Sequence, residues 1–574
     1  MLTLTEEELR PSRRRGLPVL VDQATGSHLR AVGLLLVVAL LAFLPGFFQI
    51  PPIDRDEARF AQATKQMLET RDFVDIRFQD ESRYKKPVGI YWMQAAVVKA
   101  ASAVGVPEAR TTIWLYRIPS LIGAVGAVLL TYWTALAFVS RRAAVLAGLI
   151  LSASILLGAE ARLAKTDAML LMTIVAAMGA LGRVYLGEHG AHGEAFHGWR
   201  LPAIFWTAIA GGVLIKGPLI LMIVGLPIVA LSIYDRSARW ILPLKPLAGS
   251  AWALVLVLPW FLAILTKSGA DFFIESIGRD LLAKVATGQE SHGAPPGFYF
   301  LLYWITFWPG SSLTLLALPA VWAVRREPGA RFLLAWIVPA WIVFEIVITK
   351  LPHYVLPLYP PIAILIAGVI NHHALARGPW MQRLLSGWFL FAALTTVGLI
   401  VGMIVYGRQL GLLAWPFATG ATIFGLLAWW LFDEDGAERS LLRAVTASIL
   451  LAFAAYGVAI PTLTVLFPSA MIAESLRGAG CERPQLAAAG YHEPSLVFLA
   501  GTSTALVADG AAGADFLKQG GCRFAAIESR HERSFALRAE ALGLRYSLVQ
   551  SIDAINFNGG RRITISIYQA EREP

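Results

Sequence analysis

Charged and polar residues suited to phosphate chemistry follow long apolar runs at five places in the sequence. Asp56 and Asp167 supply carboxylates at two of these places, and basic residues stand close to both. A site that must hold a phosphate group and also orient a nucleophile needs this combination of charges. The candidate side chains are Asp56, Glu57, Arg59, Tyr84, Lys86, Glu160, Arg162, Asp167, Lys216, Arg279, His292, Lys350, His353 and Tyr354.

The elements that must position these residues are apolar runs of about 20 residues, each long enough to cross a bilayer core. Of the 574 residues 56% are hydrophobic and only 15% are charged, and the mean hydropathy is +0.60. A soluble protein of this length needs more polar surface, so that class is excluded. We predict an α-helical polytopic membrane protein with about 13 transmembrane helices. They lie near residues 30–50, 113–139, 143–159, 167–186, 200–216, 218–234, 241–265, 299–323, 332–349, 354–371, 384–406, 412–432 and 444–467.

Arginines in the short loops predict that the N-terminus is cytoplasmic, because basic loops stay on the cytoplasmic side. An odd number of spans then places residues 468–574 outside, and the five polar clusters converge on the outer face. The net charge of +10 fits loops that meet anionic lipid. It does not indicate nucleic-acid binding, since no soluble segment carries a basic stripe with interleaved aromatics. The arginines are Arg13, Arg14, Arg15, Arg141, Arg142, Arg236, Arg239, Arg325, Arg326, Arg377, Arg383, Arg439 and Arg443.

The predicted domains are a transmembrane catalytic domain over residues 1–467 and a soluble α/β domain over 468–574. Within the first, residues 51–112 form an outer loop with interfacial helices, and 267–298 form a further outer loop. In the soluble domain, alternating apolar segments at 495–499, 523–527 and 563–568 predict strands. Cys481 and Cys522 both lie there, and a disulfide and two free thiols are both open alternatives.

An ordered set of motifs over roughly residues 30–370 carries a family resemblance. The chain resembles the membrane-embedded C-type glycosyltransferases, which take sugars from polyprenyl phosphates, and among them the 4-amino-4-deoxy-L-arabinose (lipid A) transferase family. Lys85-Lys86 stands where an acidic-basic pair is expected in the enterobacterial enzymes. The matching pieces are Asp56-Glu57-x-Arg59-Phe60, Lys86-Pro87-Val88 with Tyr91-Trp92, Asp167, Lys216-Gly217-Pro218, Arg279, His292, and Lys350-Leu351-Pro352-His353-Tyr354 followed by Pro357.

The resemblance implies the C-type glycosyltransferase fold and an inverting transfer of 4-amino-4-deoxy-L-arabinose from undecaprenyl phosphate to a lipid A phosphate. The enzyme would act at the periplasmic face of the bacterial inner membrane, with a periplasmic C-terminal domain. Its product would be a modified lipopolysaccharide that confers resistance to polymyxin and other cationic peptides. The partners would be the undecaprenyl-phosphate-linked donor, a lipid A or related glycolipid acceptor and the bilayer. No cofactor is required, and a divalent metal at Asp56 and Asp167 stays an open alternative.

Roles follow for the candidate side chains as hypotheses. Asp56 meets the acceptor nucleophile, and Asp167 completes the catalytic pair from a supporting position. Lys86 and Arg279 stabilise the leaving phosphate, because cations in a low-dielectric site act strongly on phosphate. The other predicted substrate-binding residues are Arg59, Tyr84, Lys216, His292, Lys350, His353 and Tyr354, and the predicted supporting residues are Glu57, Glu160 and Arg162.

Two alternatives stay open. A protein or glycan O-glycosyltransferase that uses another polyprenyl-phosphate sugar would share the acidic motif of the first loop. A polytopic lipid transporter would also carry charged clusters, but it should show repeated hydropathy halves and charges in the middle of its spans. Here the charges lie at span ends and in long outer loops.

Overall fold

The computed structural model describes residues 17–190, 198–282, 293–376, 378–481, 483–556 and 558–571. Within these ranges, eight helices are long and apolar enough to cross a membrane, or nine if the bent pair Phe298–Thr306 and Ser311–Ala323 is one span. The predicted class, a helical multi-pass membrane protein with a small C-terminal α/β domain, is confirmed. The predicted count of about 13 spans is not confirmed.

The count differs because several predicted spans are short helices. His28–Phe43 has 16 residues, and Arg141–Ala153 has 13. The residues from Ala143 to Ala153 are all buried, so neighbouring helices cover this short apolar run. Apolar composition records burial, and it does not distinguish a protein interior from a bilayer.

The membrane part is a sequence of helices. Short 3-10 segments join some of them, at Arg239–Leu244, Pro352–Leu358, Gly387–Leu390, Leu412–Ala414 and Thr464–Leu466. A hairpin of two short strands, β1 (Arg77–Phe78) and β2 (Glu81–Ser82), lies in the first long loop. The α-helices are Leu17–Thr25, His28–Phe43, Asp56–Thr70, Gly89–Ala103, Ile113–Ala135, Arg141–Ala153, Ile155–Glu160, Asp167–Glu188, Arg200–Lys216, Leu219–Tyr234, Pro246–Ser268, Asp271–Phe273, Phe298–Thr306, Ser311–Ala323, Pro328–Ile346, Tyr359–Asn371, Pro379–Ser386, Phe391–Gly407, Trp415–Trp430, Phe432–Ala452 and Ile460–Thr462. Two π-helical segments, Ile274–Leu282 and Phe453–Ala459, continue neighbouring helices.

The helix Asp167–Glu188 lies at the centre of this bundle, and 83% of its apolar 18-residue segment is buried. Pro246–Ser268 lies at the perimeter, where the corresponding share is 22%. The central helix packs against Ile113–Ala135 and Arg200–Lys216. Asp167, its first residue, is therefore held at the end of the best-packed part of the bundle.

The amphipathic pattern after the first apolar run forms the helix Asp56–Thr70, which we call the acidic helix. Phe60, Ala61, Thr64 and Met67 are buried along it, as their spacing predicts. The helix Gly89–Ala103 underlies it, and its Gln94 is buried. The Thr64 hydroxyl donates to Gln94 Oε1 at 2.7 Å, so the polar residue that interrupts this apolar run bonds to protein.

The tail domain, residues 468–571, is a mixed five-stranded sheet with helices. Its order is β4-β3-β5-β7-β6, with β3 parallel to both β4 and β5, and β7 antiparallel to β5 and β6. The strands are β3 (Gln485–Ala489), β4 (Ala505–Val507), β5 (Arg523–Glu528), β6 (Tyr546–Asn556) and β7 (Arg561–Ala570). The helices are Pro468–Gly478, Pro494–Ala500, Gly510–Lys518 and Glu532–Ala541.

Two of the three predicted strands, 523–527 and 563–568, are confirmed as parts of β5 and β7. The prediction for 495–499 is wrong, because this segment is the helix Pro494–Ala500. Pro494 occupies its first turn, where the fixed backbone angle of proline favours a helix start. We call this segment the docking helix.

The open question about the two cysteines is resolved in favour of a disulfide between Cys481 and Cys522, whose Cα atoms are 6.1 Å apart. The bond joins the segment before β3 to the segment before β5. It closes a separation of 41 residues and so restrains β3 and β5, two paired interior strands of the sheet.

Candidate functional site

A cleft of about 220 Å³ opens at the start of the acidic helix. Three parts of the chain form it: the first long loop, the loop before Asp167 and the tail domain. The structure thus brings the predicted residues Asp56, Glu57 and Arg59 together, and the Asp56 side chain is exposed there. The lining residues are Ile53, Asp54, Arg55, Asp56, Glu57, Arg59, Leu163, Lys165 and Asn558.

A buried group of opposite charges lies next to this cleft, and we call it the charged cluster: Glu160, Lys165, Asp167, Lys216 and His353. The Lys216 ammonium donates to Asp167 Oδ1. Lys165 Nζ lies 3.1 Å from Glu160 Oε1 and 3.9 Å from Asp167 Oδ2. The His353 ring is 3.7 Å from Asp167 and 3.9 Å from Glu160. Four of these five residues are predicted site residues.

Lys165 belongs to both the cleft and the charged cluster. Burial opposes its charge, but the carboxylates of Glu160, Asp167 and Asp56 outweigh that penalty and hold the pKa of Lys165 above its ordinary value. The ammonium therefore stays charged at neutral pH, facing the cleft that Asp56 also lines. The sequence assigned no role to Lys165, although it lies in the polar segment between Glu160 and Asp167.

The local sequence explains how Lys216 reaches the cluster. It is the last residue of the helix Arg200–Lys216, which ends because Gly217 takes a positive φ of 68° that glycine adopts without strain. The Lys216 ammonium also lies 5.5 Å from the centre of the Tyr354 ring, so the structure brings Tyr354 to the edge of the cluster.

The loop that carries Tyr84 and Lys86 packs against the same turn. A Cβ on Gly89 would lie 2.8 Å from the carbonyl oxygen of Leu214, so the two backbones are in close contact just after Lys86. Tyr84 donates from its hydroxyl to Asp75 Oδ1 at 2.9 Å. The Lys86 and Lys216 segments are thus neighbours, although their role in binding substrate stays a prediction.

Glu57 fixes the position of Asp56. Its carboxylate accepts from Arg117 Nε at 2.8 Å and Nη2 at 2.9 Å, and also from the backbone N–H of Ala164 at 2.9 Å. A fourth N–H, the backbone N–H of Ile53, donates to it at 2.8 Å. One buried carboxylate therefore ties together the first loop, the helix Ile113–Ala135 and the loop before Asp167. This contact supports the predicted supporting role.

Arg117, the partner of Glu57, is not among the residues predicted from the sequence. Its guanidinium also donates to the carbonyls of Phe47 at 3.0 Å and Ile50 at 2.7 Å. An arginine inside an apolar run is rare and needs partners. The position of Arg117 inside such a run could therefore have marked it as a structural or functional residue. Arg162 has a comparable place: its Nε donates to the Pro45 carbonyl at 2.7 Å, and its guanidinium lies 4.2 Å from the Tyr456 ring centre.

The remaining predicted residues lie elsewhere or outside the described ranges. Lys350 donates to the carbonyls of Phe344 at 2.7 Å and Val347 at 2.6 Å, and so caps the end of the helix Pro328–Ile346. Arg279 has a side chain 77% exposed, 3.5 Å from Glu275. His292 lies outside the described residues. Substrate binding by these three residues stays a prediction.

Glu160, Asp167 and His353 form a group that could hold a metal ion, since one ligand atom from each lies within 4.8 Å of the others. Carboxylate and imidazole ligands suit several divalent metals. However, both carboxylates already contact an ammonium group, from Lys165 or Lys216. A metal at this position would have to displace those cations, so the donor set fits it poorly. A metal at Asp56 and Asp167 stays a prediction.

The chain is similar to several known proteins in sequence and in fold. A family model described as dolichyl-phosphate-mannose-protein mannosyltransferase matches residues 34–270. A relative from Erwinia tasmaniensis, undecaprenyl phosphate-alpha-4-amino-4-deoxy-L-arabinose arabinosyl transferase, is 28% identical over 328 residues, 56% of this chain and 55% of the relative. One of the same name from Pectobacterium carotovorum is 27% identical over 383 residues, 66% of each chain. The chain thus spans between about half and two thirds of the length of these relatives.

The crystal structure of ArnT from Cupriavidus metallidurans in the apo state has a similar fold, with a TM-score of 0.69 and 18% identity over 95% of this chain and 98% of that one. The same protein bound to undecaprenyl phosphate gives the same values. The fold therefore defines this chain as a multi-pass helical membrane protein with a C-terminal α/β domain, similar in fold to that protein. The family resemblance expected from the sequence, to the 4-amino-4-deoxy-L-arabinose transferases, is confirmed.

Proposed function

We propose that this chain is an inverting glycosyltransferase that moves 4-amino-4-deoxy-L-arabinose from undecaprenyl phosphate to a lipid A phosphate. The observation that carries the proposal is Lys165, which is held charged by the buried cluster and lines the same cleft as Asp56. The arrangement offers a cation for phosphate beside a carboxylate for the acceptor. The names of the similar transferases and the ArnT structure with undecaprenyl phosphate support this choice of donor.

Transfer is a single displacement at the anomeric carbon of the sugar. An oxygen of the acceptor forms the new bond as the bond from that carbon to the donor phosphate oxygen breaks, and undecaprenyl phosphate leaves with the electron pair. A lipid A phosphate is already ionised at neutral pH, so Asp56 orients it or holds the amino group of the sugar. An acceptor hydroxyl would instead give its proton to Asp56.

Cations stabilise the charge that develops on the leaving phosphate. Lys165 is held charged beside the cleft, and Lys86 and Lys216 lie on neighbouring segments. Cations held in place before the reaction act strongly on phosphate in a site that excludes water. Asp167 acts by fixing Lys216, to which it is hydrogen-bonded, and Arg279 is the further cation proposed to stabilise the leaving phosphate.

The site lies at the periplasmic face of the bacterial inner membrane, with the N-terminus in the cytoplasm and the tail domain in the periplasm. The arginines in the short loops support this orientation. The disulfide of the tail domain supports it independently, because disulfides persist in the periplasm and are rare in the cytoplasm. The added amine would make lipid A less anionic and so would weaken the binding of polymyxin and other cationic peptides.

The test is mass spectrometry of lipid A from a host strain with the gene, without it, and with Asp56→Asn in its place. We expect a mass gain of one aminopentose on a phosphate only with the wild-type chain. Unmodified lipid A in the wild-type strain would contradict the proposal.

A second candidate is a protein or glycan O-glycosyltransferase, which the mannosyltransferase family match over residues 34–270 favours. It predicts that the same three strains have identical lipid A and differ in a glycosylated protein or glycan. The one experiment therefore separates the two functions.

A further inference from the structure

We infer that the tail domain is a working part of the catalytic site. Two hydrogen bonds between Asp54 and Ser495 hold the tail domain on the loop that carries Asp56, and Asn558 of the tail domain then contacts the polar head of the acceptor in the cleft. The inference rests on the proposed function for its substrate. Asp54 and Ser495 are positioning residues, and Asn558 is a residue that determines acceptor binding.

The contact between Asp54 and Ser495 is well formed on both sides of the carboxylate. The Ser495 backbone N–H donates to Asp54 Oδ1 at 2.8 Å, and the Ser495 hydroxyl donates to Oδ2 at 2.7 Å. The tail domain supports Ser495 in turn, since its hydroxyl oxygen lies 2.6 Å from that of Ser469. Asp54 is two residues before Asp56, so this contact restrains the segment that presents the Asp56 carboxylate.

Contacts along the acidic helix keep the tail domain from pivoting about that point. The Lys65 ammonium donates to the carbonyl of Phe498 at 2.8 Å, and Gln62 donates to the Thr502 hydroxyl at 2.8 Å. The Phe498 side chain is fully buried, with its ring 5.3 Å from that of Tyr116. The interface therefore combines polar contacts with a buried aromatic pair, and stable protein interfaces have this composition.

The turn between β6 and β7 reaches the cleft from this fixed base. Glu493, two residues before Ser495, accepts from Asn558 Nδ2 at 2.6 Å and from Asn556 Nδ2 at 3.1 Å. Both asparagines therefore hold the turn to the docking segment. Only Asn558 of the two is among the residues that line the cleft at Asp56. An amide side chain there can bond to a hydroxyl or a phosphate oxygen of the acceptor.

This difference between the two asparagines gives a matched test in the full-length protein reconstituted in liposomes. Asn558→Ala should raise the KM for lipid A by roughly tenfold, the factor that corresponds to about 1.4 kcal/mol for one lost hydrogen bond. Asn556→Ala loses the bond to Glu493 and also the bond that the Asn558 backbone N–H donates to Asn556 Oδ1 at 3.0 Å. It removes more of the bonds that hold the turn but leaves the Asn558 amide in place, so it should change the KM by less than about twofold. Equal effects of the two substitutions would show that the turn is structural and would overturn the role of Asn558.

Hydrogen exchange tests the positioning contact without any need for transfer. Ser495→Ala should speed amide exchange in residues 53–60 and lower kcat, while Ser475→Ala, on the tail helix Pro468–Gly478, should change neither. Unchanged exchange in the Ser495 variant would overturn the positioning role.

A wild-type protein without transfer would refute the proposed function alone. In that case, protection of the β6–β7 turn by added lipid A in the wild type, absent in Asn558→Ala, would still support Asn558, and equal protection in both would refute it.

Discussion

Lys165 connects the two halves of the site, because its ammonium contacts the carboxylates of the charged cluster and the same residue lines the cleft at Asp56. Asp56 and Asp167, the two residues predicted to be catalytic, were identified from the sequence. A pattern of charges beside apolar runs shows which residues are unusual for a membrane protein. The pattern cannot show that Lys165 lies between two groups of acids, because that depends on how the chain turns before Asp167.

Lys86 gives a test of the phosphate-binding role at the residue scale. Lys86→Ala should lower kcat/KM by at least tenfold, because a cation that stabilises the leaving phosphate acts mainly in the transition state. Lys86→Arg should recover more activity than Lys86→Gln, since the charge is the property that matters. The measurement is the rate of sugar transfer by purified variants normalised to the folded fraction.

The adjacent Lys85→Ala is the matched control, since it removes the same charge from the next residue of the loop. Equal losses for the two alanine variants would mean that the loop needs net positive charge rather than a cation at one place. A lower folded fraction with unchanged turnover would show that Lys86 only anchors the loop.

At the scale of elements, the sequence predicted a helix or a strand correctly where the pattern of apolar residues fits only one of the two. The acidic helix is one of the helices predicted for the outer loop 51–112, and all its residues from Phe60 to Met67 are buried. The 495–499 segment was predicted wrongly, because an apolar run of five residues fits a strand or a short helix equally well. Its contacts decide between them, and these lie on the acidic helix, more than 400 residues away in sequence.

The ion pair of Glu57 and Arg117 predicts a large loss of stability when it is broken. Both side chains are 1% exposed, so Glu57→Gln leaves a buried guanidinium without its counter-charge, at a cost of about 3–5 kcal/mol. Asp515→Asn breaks an ion pair whose side chains are 46% and 47% exposed, and it should cost less than about 1 kcal/mol. Thermal unfolding in detergent measures both, and equal shifts would contradict the structural role of Glu57.

The contact of Asp54 with the tail domain predicts a pH dependence. Burial raises the pKa of Asp54 to about 7, with help from the charges of Glu493 and Glu57 and against the hydrogen bonds from Ser495. Between about pH 4 and pH 7, the Asp54 carboxyl therefore keeps its proton in the docked form. In an undocked chain, where its pKa is the ordinary 3.8, it has lost that proton. The stability that Asp54 contributes thus falls as pH rises from about 4 to about 7 and is level above that range.

The difference in melting temperature between the wild-type chain and Asp54→Asn isolates this contribution. It should shift in favour of the Asn variant as pH rises from 5 to 7 and stay constant from pH 7.5 to 8.5. Parallel curves over the whole range would show that Asp54 has the same pKa in both states.

At the scale of the whole molecule, the sequence predicted a multi-pass membrane protein with a soluble tail, and the fold agrees. The number of about 13 spans is not confirmed, because several of the predicted spans, such as Arg141–Ala153 with its 13 residues, are shorter than a helix that crosses a bilayer core. The docking of the tail domain on the acidic helix was not predicted. Its polar contacts, such as Gln62 with Thr502, join residues that are ordinary surface side chains in each segment taken alone.

The proposed orientation predicts which cysteines a membrane-impermeant thiol reagent can reach in intact spheroplasts. Glu540→Cys in the tail domain should react, and Glu327→Cys, beside Arg325 and Arg326, should not react until the membrane is permeabilised. The native cysteines are joined in a disulfide and give no background. The opposite pattern would place the cleft at the cytoplasmic face.

Transfer by the purified chain is the most direct test of the central claim that the cleft at Asp56 moves a sugar from a polyprenyl phosphate. The full-length wild type and Asp56→Asn are reconstituted in liposomes with lipid A and undecaprenyl phosphate 4-amino-4-deoxy-L-arabinose, and the product is measured over time. We expect wild-type transfer and a rate at least about 100-fold lower for the Asn variant at equal folded yield, because only the charge is removed. An inactive wild type, or an Asn variant as fast as the wild type, would contradict the claim.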